Sequence, residues 1–128
     1  MARAVFDASA ALALLRDEPG AELIAGYLGD ALLSAVNLQE VIKKLLWRGF
    51  PIDTIKDMIA SLRLEIRDHG EWDAYAAANL AEATAAIGAG LGDRACMALA
   101  ISEGLPALTT DKAWAKLVIP GLKVILAR

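Results

Sequence analysis

The chain has 128 residues, of which 57% are hydrophobic. This length is typical of one domain, so residues 1–128 are expected to form a single domain with a substantial hydrophobic core. The formal net charge of −3 excludes a global attraction to nucleic acid, so any RNA binding must rely on a local basic patch or on bound metal. Cys96 is the only cysteine, which excludes an internal disulfide and suits a reducing compartment. No apolar stretch approaches the ~20 residues needed to cross a bilayer, so we expect a cytoplasmic protein without membrane contact.

Strands and helices are predicted to alternate along the chain. The first half predicts, in order, a strand at 2–6, helices at 8–15 and 21–27, a strand at 31–36, a helix from 38 that ends before Gly49, and a helix at 52–61. The second half predicts an edge strand at 64–67, an alanine-rich helix at 72–87, a buried helix at 93–103, a strand at 105–109, a helical turn around Trp114 and a strand at 122–126. This alternation predicts a three-layer α/β/α fold with a mostly parallel central sheet of four to five strands.

Four acidic residues follow the predicted strands closely or open the next helix: Asp7, Glu40, Asp93 and Asp111. In an open α/β fold the carboxyl ends of the strands border one crevice, where ligands usually bind. Carboxylates gathered there repel, at a cost of roughly 4 kcal/mol for two charges ~4 Å apart in an effective dielectric of 20. A hard cation relieves this repulsion, and carboxylate oxygens are preferred ligands of Mg²⁺ and Mn²⁺. The four acids are therefore predicted to be the metal ligands and catalytic residues of one site.

Each acid also has a structural explanation. Asp7 and Asp93 could be helix N-caps, worth ~1 kcal/mol each. Glu40 could pair with Lys44 one helical turn later, and Asp111 could be a turn or cap residue. These explanations are favoured for any single acid. All four acids at the strand exits of one fold favour a functional site.

Other polar residues are predicted to support this site. Ser9 and Thr109 lie two residues from Asp7 and Asp111 and could orient a carboxylate or a metal-bound water, while Asn37 could do the same or cap a helix. Phosphate contacts are predicted for Arg94, Lys43 and Lys112, with Lys44, Arg48 and Lys116 as further members of a basic patch. Trp114 could stack on a base, although core packing is the alternative.

Four segments together resemble the PIN-domain ribonucleases, and most closely the VapC-type toxins of toxin–antitoxin pairs. They are VFDASAALAL at 5–14, SAVNLQEVIKKL at 34–45, GLGDRACMALA at 90–100 and LTTDKAW at 108–114. The resemblance covers essentially the whole chain in the expected order.

The resemblance implies a Mg²⁺- or Mn²⁺-dependent endoribonuclease that leaves a 5′-phosphate and a 3′-hydroxyl. The four acids would match the family's acidic cluster, and Thr109 would match its hydroxyl beside the last acid. The resemblance also implies a homodimer held inactive by a separate VapB-like antitoxin.

Two other functions are compatible with an α/β scaffold. One is a non-catalytic RNA-binding or protein-interaction module, which would gain nothing from clustered negative charge. The other is phosphoryl transfer with Asp7 as the nucleophile. In haloacid-dehalogenase-like enzymes that chemistry needs a second acid two residues later, where this chain has Ser9.

Overall fold

A five-stranded sheet forms the centre of the computed structural model, which describes residues 3–128. All neighbouring strands are parallel and lie in the order β3-β2-β1-β4-β5. The strands are β1 (Ala4–Phe6), β2 (Ala31–Ser34), β3 (Glu65–Arg67), β4 (Ala107–Thr109) and β5 (Val124–Leu126). The predicted parallel sheet is thus confirmed, with β3 at an edge as expected.

Seven α-helices connect these strands. They are α1 (Ala8–Leu15), α2 (Ala21–Ala25), α3 (Ala35–Trp47), α4 (Ile52–Ser61), α5 (Glu71–Ala78), α6 (Ala81–Thr84) and α7 (Leu91–Glu103). Two short 3₁₀ helices lie at Ala85–Ile87 and Lys112–Lys116. None of the helices within residues 3–128 is long and apolar enough to cross a membrane.

Alternation along the central strand β1 explains the three layers. Successive side chains of a strand point to opposite faces of the sheet. Phe6 packs with Ala10, Ala13 and Ile24 of helices α1 and α2 on one face. Val5 packs with residues of α7 on the other face, so β1 is completely buried.

Several predicted elements have other bounds in the structure. The helix predicted at 21–27 ends at Ala25, and the strands predicted to begin at 105 and 122 begin at Ala107 and Val124. The predicted strand 31–36 stops at Ser34, whose hydroxyl accepts a hydrogen bond from the Val36 amide (3.2 Å) and caps α3. The predicted helix 72–87 is divided into α5, α6 and a 3₁₀ turn, with a break after Asn79, a poor helix former. Residue 2 of the first predicted strand lies outside the described residues.

The strand register brings the ends of β1 and β4 together. Phe6 is aligned with Leu108, so Asp7 follows β1 directly beside Thr109, the last residue of β4. The Asp7 amide donates to the Leu108 carbonyl (3.2 Å). Residues 102 positions apart in the sequence are therefore neighbours at the carboxyl edge of the sheet.

Candidate active site

Asp7 is the most buried of the four predicted acids, with 4% of its surface exposed. It is the N-cap of α1, and its Oδ1 accepts hydrogen bonds from the Ala10 amide (2.9 Å) and the Ser9 hydroxyl (2.6 Å). Its Oδ2 accepts from the Thr109 hydroxyl (2.5 Å). The capping role and the orienting roles predicted for Ser9 and Thr109 thus occur together, and they hold the carboxylate in one orientation.

The surroundings of Asp7 disfavour its negative charge. Burial raises the pKa of this carboxyl from its ordinary value of 3.8 to about 6. The hydrogen bonds from Ser9, Thr109 and Ala10 oppose this increase in the pKa, and the negative charge of Asp93 adds to it. A cation bound here would stabilise the ionised form.

Glu40 lies on α3 and is held against the start of α7 by Asn37. The Asn37 side-chain amide donates from Nδ2 to Glu40 Oε1 (2.9 Å) and to the Gly92 carbonyl (3.0 Å). A Cβ atom on residue 92 would collide with the Glu40 carboxylate. Gly92 is therefore a residue of the candidate site that the sequence analysis missed. A phosphate-binding glycine motif is the local signal that would have drawn attention to it, and the spacing of its neighbouring glycines fits no such motif.

Asn37 is 1% exposed, and its Oδ1 has no hydrogen-bond partner within the described part of the chain. Its orientation is determined by the two acceptors Glu40 and Gly92, because rotating the amide would place oxygen against oxygen. Asn37 thus fixes Glu40 rather than capping α3, a role that belongs to Ser34. The alternative Glu40–Lys44 ion pair does not form among the described residues.

Asp93 is the third residue of α7 rather than its N-cap. The helix begins at Leu91, and Asp93 Oδ2 accepts from the amide of the capping residue Gly90 (3.1 Å). This reverse bond is half of a capping box, since glycine has no side-chain oxygen to complete it. The side chain is half-buried and faces the same cleft as Glu40.

Two of the four acids, Glu40 and Asp93, line one cleft. Asp7 follows strand β1, against which α7 packs through Cys96. Burial raises the pKa of the Cys96 thiol, and the charges of Asp7, Asp93 and Glu40 raise it further. Within residues 3–128, however, no three acidic, histidine or cysteine side chains are placed to hold one metal ion together.

The donor set still fits a hard divalent cation. Mg²⁺ keeps several water ligands and is usually bound by only one or two carboxylates. Asp7 and Asp93 supply such a pair, and their mutual repulsion is the kind that a cation relieves. Glu40, which lines the cleft beside Asp93, would be an acceptor for metal-bound water.

Asp111 is exposed and lies beside this group through the backbone of β4. Its amide donates to Thr109 Oγ1 (3.0 Å), and its carboxylate accepts from the Ala113 amide (3.0 Å). The alternative of a cap before the Trp114 turn is thus confirmed. The carboxylate is not among the charges that raise the Cys96 pKa.

The predicted substrate contacts are distributed unevenly. Lys43 lines a cleft of about 320 Å³ together with Glu40, Gly92 and Asp93. Lys112 is exposed beside Asp111. Arg94 donates to the Ala89 carbonyl (2.6 Å) and so stabilises the loop before α7.

The prediction that Trp114 stacks on a base is wrong. Its side chain is completely buried and packs with Val5, Met97 and Ala107 in the core beneath α7. Core packing, the alternative, is therefore the role of this indole.

These features define an α/β protein with a parallel sheet and an acidic cleft at the strand exits. The model of the PIN domain family matches residues 4–119, and the chain belongs to this family. A comparison with curated proteins found no match.

Solved structures with the same fold include components of toxin–antitoxin complexes. A DNA-bound VapBC from Salmonella typhimurium has a TM-score of 0.74 at 19% identity and covers 100% of both chains. A toxin–antitoxin complex from Klebsiella pneumoniae has a TM-score of 0.75 at 19% identity, covering 98% of each chain. VapBC-5 from Mycobacterium tuberculosis has a TM-score of 0.63 at 22% identity, covering 98% of this chain and 99% of that one.

Proposed function

We propose that this chain is a metal-dependent endoribonuclease and the toxin of a VapBC-type toxin–antitoxin pair. The observation that carries the proposal is the cleft that Glu40 and Asp93 line together at the start of α7, with Asp7 buried directly after β1 at the carboxyl edge of the sheet. Carboxylates grouped at the carboxyl edge of a parallel sheet destabilise one another without a cation. Membership of the PIN domain family and the likeness to VapBC structures support the same function.

Asp7 and Asp93 are the residues that would hold Mg²⁺ or Mn²⁺, with Glu40 acting directly or through water. When bound, the cation supplies a water of lowered pKa and neutralises charge on the attacked phosphate. Asp111 is assigned to the outer part of the site, where it can orient substrate or attacking water. Its exposure and its position after Thr109 support this assignment.

The remaining site residues position these acids. Ser9 and Thr109 donate to the two oxygens of Asp7 and prevent its rotation. Asn37 holds the Glu40 carboxylate over Gly92, while Lys43 places a positive charge in the cleft for a substrate phosphate. Positioning of this kind matters because a misplacement of ~1 Å can cost about 100-fold in rate.

A VapB-like antitoxin and a second copy of the chain are the proposed protein partners. The likeness to proteins solved as toxin–antitoxin complexes supports the first partner. Large apolar side chains on the surface support both, because exposed aromatic residues are enriched in protein interfaces. They include Val118, Trp72, Leu91 and Tyr75.

RNA cleavage with purified protein tests the enzymatic proposal. Wild type, Asp7→Asn, Asp93→Asn and the control Asp57→Asn are incubated with a mixed set of labelled RNAs in Mg²⁺, in Mn²⁺ and in EDTA. Asp57 is an acid of α4 with no hydrogen-bond partner among the described residues, so its substitution leaves the site intact. We expect cleavage by wild type and control only, and none in EDTA.

Cleavage that is equal in all four proteins would remove the proposed site. Cleavage that persists in EDTA would exclude the proposed requirement for a metal ion. Binding of RNA without cleavage under any condition would favour the non-catalytic module instead. Light scattering of the purified chain tests the homodimer by its mass.

A further inference from the structure

Helix α3 carries a second group of basic and aromatic side chains beyond the acidic cleft. A depression of about 300 Å³ at the end of this helix is lined by Arg16, Lys44, Trp47 and Arg48. Three cations around one depression are unexpected in a chain with a net charge of −3. The depression lies outside the acidic cleft, with which it shares no lining residue.

The cations of this group are available to an anion. Within residues 3–128, Lys43, Lys44 and Arg48 form no ion pair with a carboxylate. Arg16 pairs with Glu18 through one terminal nitrogen (3.0 Å), while its Nε is buried without a hydrogen-bond partner in that part of the chain. Basic residues near a helix C-terminus are ordinary, since they complement the helix dipole. That explanation does not account for the unpaired Arg16 Nε or for the neighbouring indole.

Trp47 presents its indole to solvent with 77% of its surface exposed. The Lys43 ammonium lies 4.5 Å from the centre of its ring. Lys43 also lines the acidic cleft with Glu40 and Asp93. One side chain therefore connects the cleft to Trp47, and Trp47 borders the basic depression.

The spacing along α3 suits a nucleic-acid strand. Glu40 and Trp47 are seven residues apart on one helix, which corresponds to a rise of about 10 Å. This is roughly the length of three stacked nucleotides. Proteins that bind single strands combine cations that follow the backbone with aromatic rings on which bases stack.

We propose an exosite for single-stranded RNA, called here the α3 track. It consists of Lys43, Trp47, Lys44, Arg48 and Arg16. The track binds the strand about three nucleotides from the cleavage point, with a base stacked on Trp47 and phosphates bound by the cations. This proposal rests on the proposed ribonuclease function and adds to it a requirement for substrate length and single-strandedness.

Binding without cleavage tests the α3 track independently of catalysis. Anisotropy in EDTA compares a fluorescein-labelled 12-nucleotide single-stranded RNA with a dinucleotide, which is too short to reach from the cleft to the depression. The variants are Trp47→Leu, Trp47→Tyr and the double variant Lys44→Gln with Arg48→Gln. Lys123→Gln, a lysine before β5, is the matched charge control.

Trp47→Leu is expected to weaken binding of the 12-nucleotide RNA by about 10-fold, the effect of removing one stacked base. Trp47→Tyr is expected to stay within roughly 3-fold of wild type because an aromatic ring is retained. The double variant is expected to lower the slope of log affinity against log salt by about 0.7 for each phosphate that the track no longer binds. Binding of the dinucleotide and the affinity of Lys123→Gln should match wild type.

Equal decreases in affinity for Trp47→Tyr and Trp47→Leu, or equal decreases for both RNA lengths, would overturn the α3 track. The α3 track would also be overturned if the variants bound RNA normally but no longer bound a co-purified acidic protein partner. That result would make this surface a protein interface. Active wild type with variants that all bind and cleave normally overturns the track and leaves the ribonuclease proposal standing. Variant effects as expected in a protein that never cleaves RNA support the track and overturn the ribonuclease proposal.

Discussion

Replacing Asp7 by asparagine should stabilise the metal-free protein in a pH-dependent way. The pKa of Asp7 is raised from 3.8 to about 6, chiefly by burial. An increase in pKa of this size corresponds to a cost of about 3 kcal/mol for folding with the ionised form. Asparagine removes the charge, and its oxygen can still accept from the Ala10 amide as an N-cap.

The sign of the pH dependence follows from linkage. Below pH 3.8 the carboxyl is neutral in both the folded and unfolded states, so it costs nothing. As the pH rises from 3.8 to about 6, the unfolded state loses its proton first and the folded state loses stability. The free energy of unfolding of Asp7→Asn should therefore exceed that of wild type by up to ~3 kcal/mol at pH 7. This difference in stability should shrink by roughly 1.5 kcal/mol at pH 5.

Urea unfolding of both proteins in EDTA at pH 5 and pH 7 measures this difference. Asp57→Asn provides the control, because an acid of α4 outside the site should give no comparable change between the two pH values. A variant less stable than wild type at pH 7 would refute the reasoning. It would mean that the bonds from Ser9 and Thr109 outweigh the cost of burial.

Three further substitutions test individual parts of the site. Gly92→Ala should reduce RNA cleavage by at least about 10-fold, because the new Cβ displaces the Glu40 carboxylate. The free energy of unfolding in urea should change by less than ~1 kcal/mol, since only the end of a flexible side chain must move. Normal cleavage would show that the position of Glu40 is unimportant. Asp93→Asn should be neutral or stabilising without metal. The increase in melting temperature that Mg²⁺ or Mn²⁺ is expected to produce in wild type should disappear in the variant. An increase that survives in the variant would exclude Asp93 as a ligand. Asp111→Asn should leave the melting temperature unchanged, because asparagine caps the following turn equally well. Cleavage is measured on the same RNAs. Reduced cleavage would place this exposed acid in the active site, and unchanged cleavage would leave it only a capping residue.

The sequence alone determined the elements and the arrangement of the central layer. The apolar run before Asp7 and the helical spacing after Leu38 come from local periodicity, which does not depend on distant contacts. Parallel pairing followed from the alternation of strands and helices, because a strand needs a crossover to reach a parallel neighbour. The expectation that the loops carrying the acids lie at one edge of the sheet followed from the same topology.

Local signals failed where two uses of the same residues compete. Ser34 ends β2 and also caps α3 through its bond from the Val36 amide, and apolar residues on both sides of it let the predicted strand run two residues too far. Alanine is the best helix former and dominates residues 72–87, so it masked the weak helix propensity of Asn79 and the break there was not predicted. Trp114 follows an acid of the site in sequence, yet the turn directs its indole into the core.

Tertiary structure alone decided how the acids are held and how strongly they are perturbed. The hydrogen bond from Thr109 to Asp7 spans 102 residues, and the contact of Gly92 with Glu40 joins two helices. The raised pKa of Asp7 depends on burial, which no local pattern measures. Chain order predicted the carboxylates at one edge of the sheet, whereas packing brought Glu40 and Asp93 into one cleft, because distances between distant residues exist only once the chain has folded.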